Sequence, residues 1–228
     1  MKVISVKKEQ IMAVFFAAVI LFGLAGVFRD DVIATFAMPV ANKVVIIDSG
    51  HGGFDPGKVV DKNIQEKDIN LQIAKKLQAY LEQGGAYVIM TRVADEALGS
   101  RKNSDMRNRK TLINESKADI LVSIHQNAYS NTSVAGAQVF YFGKSENSKK
   151  LAEKIQTEMK TFLGQKTKLE AKSNSSYFML RSTVLPAVIV ECGFLTNATE
   201  KQKLTQDEYQ EKIAWGIYTG IIKYFEEE

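Results

Sequence analysis

From residue 44 onward, short uninterrupted apolar runs alternate with longer stretches of helical spacing, and this pattern leaves few folds open. Runs at 44–48, 87–91, 120–124, 137–142 and 188–190 read as strands, with a weaker one at 177–180. Between them, 67–83, 106–117, 151–163 and 209–225 read as helices. Ile69, Ile73, Leu77 and Leu81 fall on one face of the first, which Gly84-Gly85 ends; Leu151, Ile155, Met159 and Phe162 fall on one face of the third. Residues 92–105 read as a polar loop. Strands that are apolar throughout are buried on both faces, so the pattern predicts an α/β fold with a largely parallel sheet covered by helices. At 228 residues without repeats or low-complexity segments, the chain predicts one catalytic-size domain over 44–228 and no separate binding module.

The first 43 residues stand outside the pattern. Lys7 and Lys8 precede an uncharged apolar run over 11–28, and Arg29, Asp30 and Asp31 restore polarity. This reads as a signal peptide or membrane anchor over 1–28, with a linker over 29–43; Val40-Ala41 is a late cleavage candidate. Lysines before the span predict export across the cytoplasmic membrane, with the domain outside, anchored or released to the wall. The net charge is +4, half of it in the first 28 residues, which excludes a basic nucleic-acid-binding surface. Cys192 is the single cysteine, so an intrachain disulfide and a thiolate metal cluster are both excluded. A metal would need nitrogen and oxygen ligands, and the chain has two histidines.

Both histidines follow apolar strands. The first strand breaks into Ser49-Gly50-His51-Gly52-Gly53, the third into His125-Gln126-Asn127, and the last into Glu191-Cys192-Gly193. Ligands in open α/β sheets bind beyond the C-terminal strand ends, so these residues are expected on one rim. A catalytic zinc uses three His or carboxylate ligands and an open position, and Glu66, which opens the first helix near that rim, is the candidate third ligand. Glu191 would then carry the proton. Each residue alone has a plainer reading: a hydrogen-bonded structural histidine, or an acid at a helix N-terminus for Glu66. A cysteine hydrolase built on Cys192 and His125 is a further alternative.

Five segments in order carry a resemblance. They are Ile-Asp-Ser-Gly-His-Gly-Gly-Phe-Asp-Pro-Gly (47–57), Glu-Lys-Asp-Ile-Asn-Leu-Gln-Ile-Ala (66–74), Ser-Ile-His-Gln-Asn-Ala (123–128), residues 136–141, and Leu-Pro-Ala-Val-Ile-Val-Glu-Cys-Gly-Phe-Leu-Thr-Asn (185–197). Together they resemble the zinc-dependent N-acetylmuramoyl-L-alanine amidases that remodel bacterial peptidoglycan. The resemblance implies a twisted six-stranded mixed sheet flanked by helices on both faces. It implies zinc (Zn2+) held by His51, Glu66 and His125, with Glu191 as catalytic acid/base. Asn127 matches a position beside the site and is expected to bind substrate, whereas Arg109 and Asn114 read as structural. A membrane segment without wall-binding repeats looks most like the spore-cortex amidases, whose product allows muramic lactam to form. Such an enzyme is expected to rely on an activating or localising protein partner. The rivals are a zinc peptidase or deacylase on another amide, and a non-catalytic wall-binding protein. Residues 173–176 with 177–181 are expected near the substrate groove, and the lysines over 149–172 on a solvated face.

Overall fold

A computed structural model describes Lys8, Met12, Phe15, Phe16, Ala17, Val19, residues 38–165 and residues 168–227. The described positions before residue 20 are helical and exposed. The signal or anchor reading over 1–28 falls mostly outside the described residues, among which no helix is long and apolar enough to cross a membrane. A separate compact unit spans Pro39–Glu228. It begins inside the stretch expected as linker, because Val40 is a fully buried core residue and the Asn42 amide donates to the Gly85 carbonyl.

The main strands are β1 (Val44–Ser49), β4 (Tyr87–Met90), β5 (Ile120–Asn127), β6 (Gln138–Tyr141), β7 (Lys172–Ser173) and β8 (Ala187–Phe194). They form a six-stranded sheet in the order β4-β1-β5-β8-β6-β7. Every pairing is parallel except β6 with β8. A separate hairpin joins β2 (Val59–Val60) to β3 (Ile64–Gln65). The helices are α1 (Glu66–Gln83), α2 (Lys102–Glu115), α3 (Glu146–Phe162), α4 (Phe178–Ser182), α5 (Ala198–Leu204) and α6 (Asp207–Phe225).

The period of two along each strand divides the core. Val45, Ile47, Val122, Ile124, Val188 and Val190 face one cluster, with Ile73, Leu77, Ile155 and Ile217 from α1, α3 and α6. Ile46, Leu121, Ile189 and Phe140 face the other, with Ile113, Met179 and Leu180 from α2 and α4. Fully buried apolar side chains of this size stabilise the fold by roughly 1.5–3 kcal/mol each, which explains why the first three residues of β1, β5 and β8 are all apolar.

Two expectations need correction. Residues 177–180, expected as a weak strand, lead into helix α4. Met179 and Leu180 are neighbours, yet both enter the same core cluster, which alternating strand geometry forbids and a helical turn allows. The Asn174 carboxamide oxygen, which accepts from the Ser176 and Tyr177 amides, turns the chain into it. Helix α2 also starts at Lys102, one turn before the expected 106, where the Ser104 hydroxyl accepts from the Arg101 amide. Helix α5, strand β7 and the β2–β3 hairpin are short elements that the periodicity did not reveal.

Candidate metal centre

The parallel registers place the predicted residues side by side. Ser49 pairs with Ile124 and His125 with Glu191, so the ends of β1, β5 and β8 share one rim. Past β1 the chain turns through His51 in the left-handed region (φ 62°), a conformation that costs a non-glycine residue roughly 1–2 kcal/mol. Gly50 packs under the His125 ring: a methyl group added there would lie 2.3 Å from Cε1. At Gly57 the same addition would lie 2.6 Å from Glu66 Oε2 and 2.7 Å from His51 Cδ2. The His51 loop therefore closes over the first turn of α1.

Glu66 Oε1 lies 3.2 Å from His51 Nε2 and 3.0 Å from His125 Nδ1. One ligand atom from each of these residues lies within 4.8 Å of the others, so His51, Glu66 and His125 could hold a metal ion. The donor set fits a divalent cation such as zinc, being two imidazoles and a carboxylate. The surroundings fit as well. Asp55 Oδ2 lies 3.0 Å from His51 Nδ1, the arrangement by which an outer carboxylate orients a metal-binding histidine through its second nitrogen. Glu66 is further fixed by the Lys58 and Gln126 amides, and the Asn70 carboxamide bridges it to the Gly50 carbonyl.

The charges follow this geometry. Burial would raise the Glu66 pKa, but hydrogen bonds and charge from His125 and His51 hold it far below the usual carboxylate range. Burial would lower His125, yet the bond and charge of Glu66, with Glu191 and Asp48 nearby, raise it to about 9. Beneath the loop lie two fully buried arginines. Arg92 donates to the carbonyls of Ser49, Gly50 and Lys67, and Arg109 to those of Ser49 and His51. Arg109 also pairs with Asp48 and Asp105, each at 2.7 Å. These bonds satisfy the carbonyls that the sharp turn leaves without sheet partners.

Glu191 is buried beside this cluster. Burial pushes its pKa up, against the opposing charge of His125. Its Oε1 lies 3.3 Å from the Tyr177 hydroxyl, and its Oε2 has no hydrogen-bond partner among the described residues. All four residues line one cavity of about 350 Å3, together with Asn127, Arg109, Tyr177, Phe178 and Met179. Met106, Phe178, Met179 and Ile189 add apolar lining to the charged and polar groups. Asn127 turns its carboxamide oxygen to the Ala128 amide at 2.8 Å. Asn114 is structural as expected, bonding the Ser182 carbonyl and the Val184 amide. Residues 177–179 reach the cavity, whereas 173–176 do not line it.

Cys192 does not join the site. It lies on the opposite face of β8 in the apolar cluster, and burial pushes its thiol far above the usual range. Sequence reasoning missed Asp55, Asn70, Gln126 and Arg92. Asn70 carried the best signal, sitting one turn after Glu66 on the same helical face.

A family model described as N-acetylmuramoyl-L-alanine amidase matches residues 45–223. The germination-specific N-acetylmuramoyl-L-alanine amidase of Bacillus subtilis is 38% identical over 207 residues, covering 87% of this chain and 86% of that protein. A structure of the CwlD amidase from Clostridioides difficile in complex with the GerS lipoprotein superposes with a TM-score of 0.79 at 42% identity, over 82% of this chain and 100% of that one. An N-acetylmuramoyl-L-alanine amidase from Clostridium difficile 630 gives 0.74 at 35%, over 82% and 98%. With the expected mixed sheet in place, the chain belongs to the N-acetylmuramoyl-L-alanine amidase family.

Proposed function

We propose that this protein hydrolyses the amide bond between N-acetylmuramic acid and L-alanine in peptidoglycan, with zinc held by His51, Glu66 and His125. The carrying observation is that these three donors converge within 4.8 Å beside the buried carboxylate of Glu191, in a single cavity. A zinc ion there would supply a Lewis acid that polarises the scissile carbonyl and makes water acidic enough to attack near neutral pH. Glu191 takes the proton from water and delivers it to the alanine nitrogen as the C–N bond breaks, freeing the peptide amine and the lactyl carboxylate. Its raised pKa suits a group that must both accept and release a proton. Asp55 keeps the His51 ring oriented, and Asn127, on the cavity wall next to His125, contacts the substrate.

The likeness to a germination-specific amidase and to CwlD supports a role in spore-cortex maturation, where peptide removal precedes muramic lactam formation. We assign residues 1–28 to a signal or membrane anchor that delivers the 44–228 catalytic domain to the wall or cortex space. The complex of CwlD with GerS supports an activating or localising protein partner here too. The test combines metal analysis with mass spectrometry of digested peptidoglycan. Wild type should bind one zinc and release peptides that begin with L-alanine from intact glycan strands. Glu191→Ala should keep the zinc and lose most activity. Cleavage inside the stem peptide, or full activity without metal, would overturn the assignment.

A further inference from the structure

Glu191 is buried, and a carboxylate can accept about four hydrogen bonds. Among the described residues it receives one, from the Tyr177 hydroxyl at 3.3 Å, while Oε2 receives none. A buried acid with a single donor has its orientation set by that donor, since other polar contacts are absent. We propose that Tyr177 is the positioning residue for Glu191, holding the carboxylate in register with the metal cluster through its hydroxyl. This rests on the reading of Glu191 as proton carrier.

The tyrosine is well built for the task because its own placement does not depend on Glu191. Its backbone amide donates to the Asn174 side chain at 3.1 Å, and the Asn174 amide donates to the Tyr141 carbonyl of β6 at 2.8 Å. Its ring meets Phe140 edge-on, with centroids 5.5 Å apart at 86°. Phe140 pairs with Ile189, two residues before Glu191 on β8, so the tyrosine ring packs on the strand that neighbours its acceptor. Burial and the neighbouring Glu191 charge raise the Tyr177 pKa, so the hydroxyl keeps its proton across the working pH range. At 3.3 Å the bond is long for a hydroxyl and a carboxylate, a spacing that free enzymes commonly show before substrate tightens the site.

The test is Tyr177→Phe in the full chain, which removes the hydroxyl and keeps the ring against Phe140. A hydrogen bond to a charged group is worth about 1.5–3 kcal/mol, so kcat should fall at least about tenfold. KM and zinc stoichiometry should stay at wild-type values, and the kcat loss should persist well below the thermal midpoint, which falls only by the few degrees that one lost bond accounts for; a merely structural role would disturb zinc binding as well. In a Glu191→Ala background, with residual cleavage followed by mass spectrometry over long incubations, Tyr177→Phe should cause no further loss. A kcat within twofold of wild type, or an equal fractional loss in both backgrounds, overturns the proposal. A fully active Glu191→Ala enzyme would instead refute Glu191 as proton carrier, and the positioning role with it.

Discussion

Replacing Arg109 by methionine should destabilise the protein more than any surface change, and the structure gives the scale. Arg109 and Asp48 are each 2% exposed and 2.7 Å apart. Removing one partner of a buried ion pair costs about 3–5 kcal/mol, because the other charge is left without compensation. The Asp48 carboxyl points the same way. Burial alone would raise it, but the Arg109 charge, the Ser123 hydroxyl and lesser contributions bring it down to about 2 from 3.8. A depression of nearly two units corresponds to about 2–3 kcal/mol of stability at neutral pH, consistent with the lower end of that range. The sign follows directly: a carboxyl depressed in the folded state stabilises above its unfolded pKa, and the contribution fades as pH falls through 2. In Arg109→Met the strongest opposing charge is gone, and burial drives the Asp48 carboxyl upward. The gap between variant and wild type should then be largest at pH 7 and narrow steadily on acidification. Urea unfolding followed by circular dichroism at pH 7 and pH 4 measures it. A domain of this size loses about 2–4 °C of melting temperature per kcal/mol, so the midpoint should drop by roughly 6–20 °C. A loss below about 1 kcal/mol, or a gap that does not change with pH, would refute the reasoning.

Gly50→Ala should abolish zinc binding measured by chelator competition, because the new methyl would overlap the His125 ring at 2.3 Å. Full zinc stoichiometry in that variant would show that the ring can move aside. Cys192→Ala should keep kcat within about twofold and lower stability by on the order of 1 kcal/mol through lost packing. A large fall in kcat without a change in stability would restore the thiol as a reacting group.

The sheet was legible because its central strands are buried on both faces. β1, β5 and β8 leave continuous apolar runs, and the polar residues that interrupt them, His51, His125 and Glu191, stand out at their ends. Glu66 was a candidate from its place at the helix start near the rim, and the ordered segments strengthened that reading, since an acid at a helix start is ordinary. The supporting shell was not legible. Asp55, Arg92 and Gln126 each act through contacts set by tertiary packing, and no periodicity marks them. Residues 177–180 were misread because four apolar side chains in a row fit a strand or a helix equally well; Asn174, outside the run, decides it. The start of the compact unit was missed because Val40 is a single buried residue between Pro39 and Ala41.

The division of the site along the chain also sets an order of events during synthesis. The three donors lie between residues 51 and 125, on segments that pack directly together: β5 pairs with β1, and α1 follows the β1 loop. Glu191 arrives with β8, after α3, α4 and the strands at the far edge have been made. At about 5–20 residues per second, the stretch from 125 to 191 takes on the order of several seconds. A chain made as far as residue 125 thus already contains all three candidate metal donors, whereas the candidate proton carrier is still to come. On the proposed assignment, the groups that would hold an ion and the group that would move a proton are contributed by separate stretches of the chain, and truncation between them would leave the first without the second.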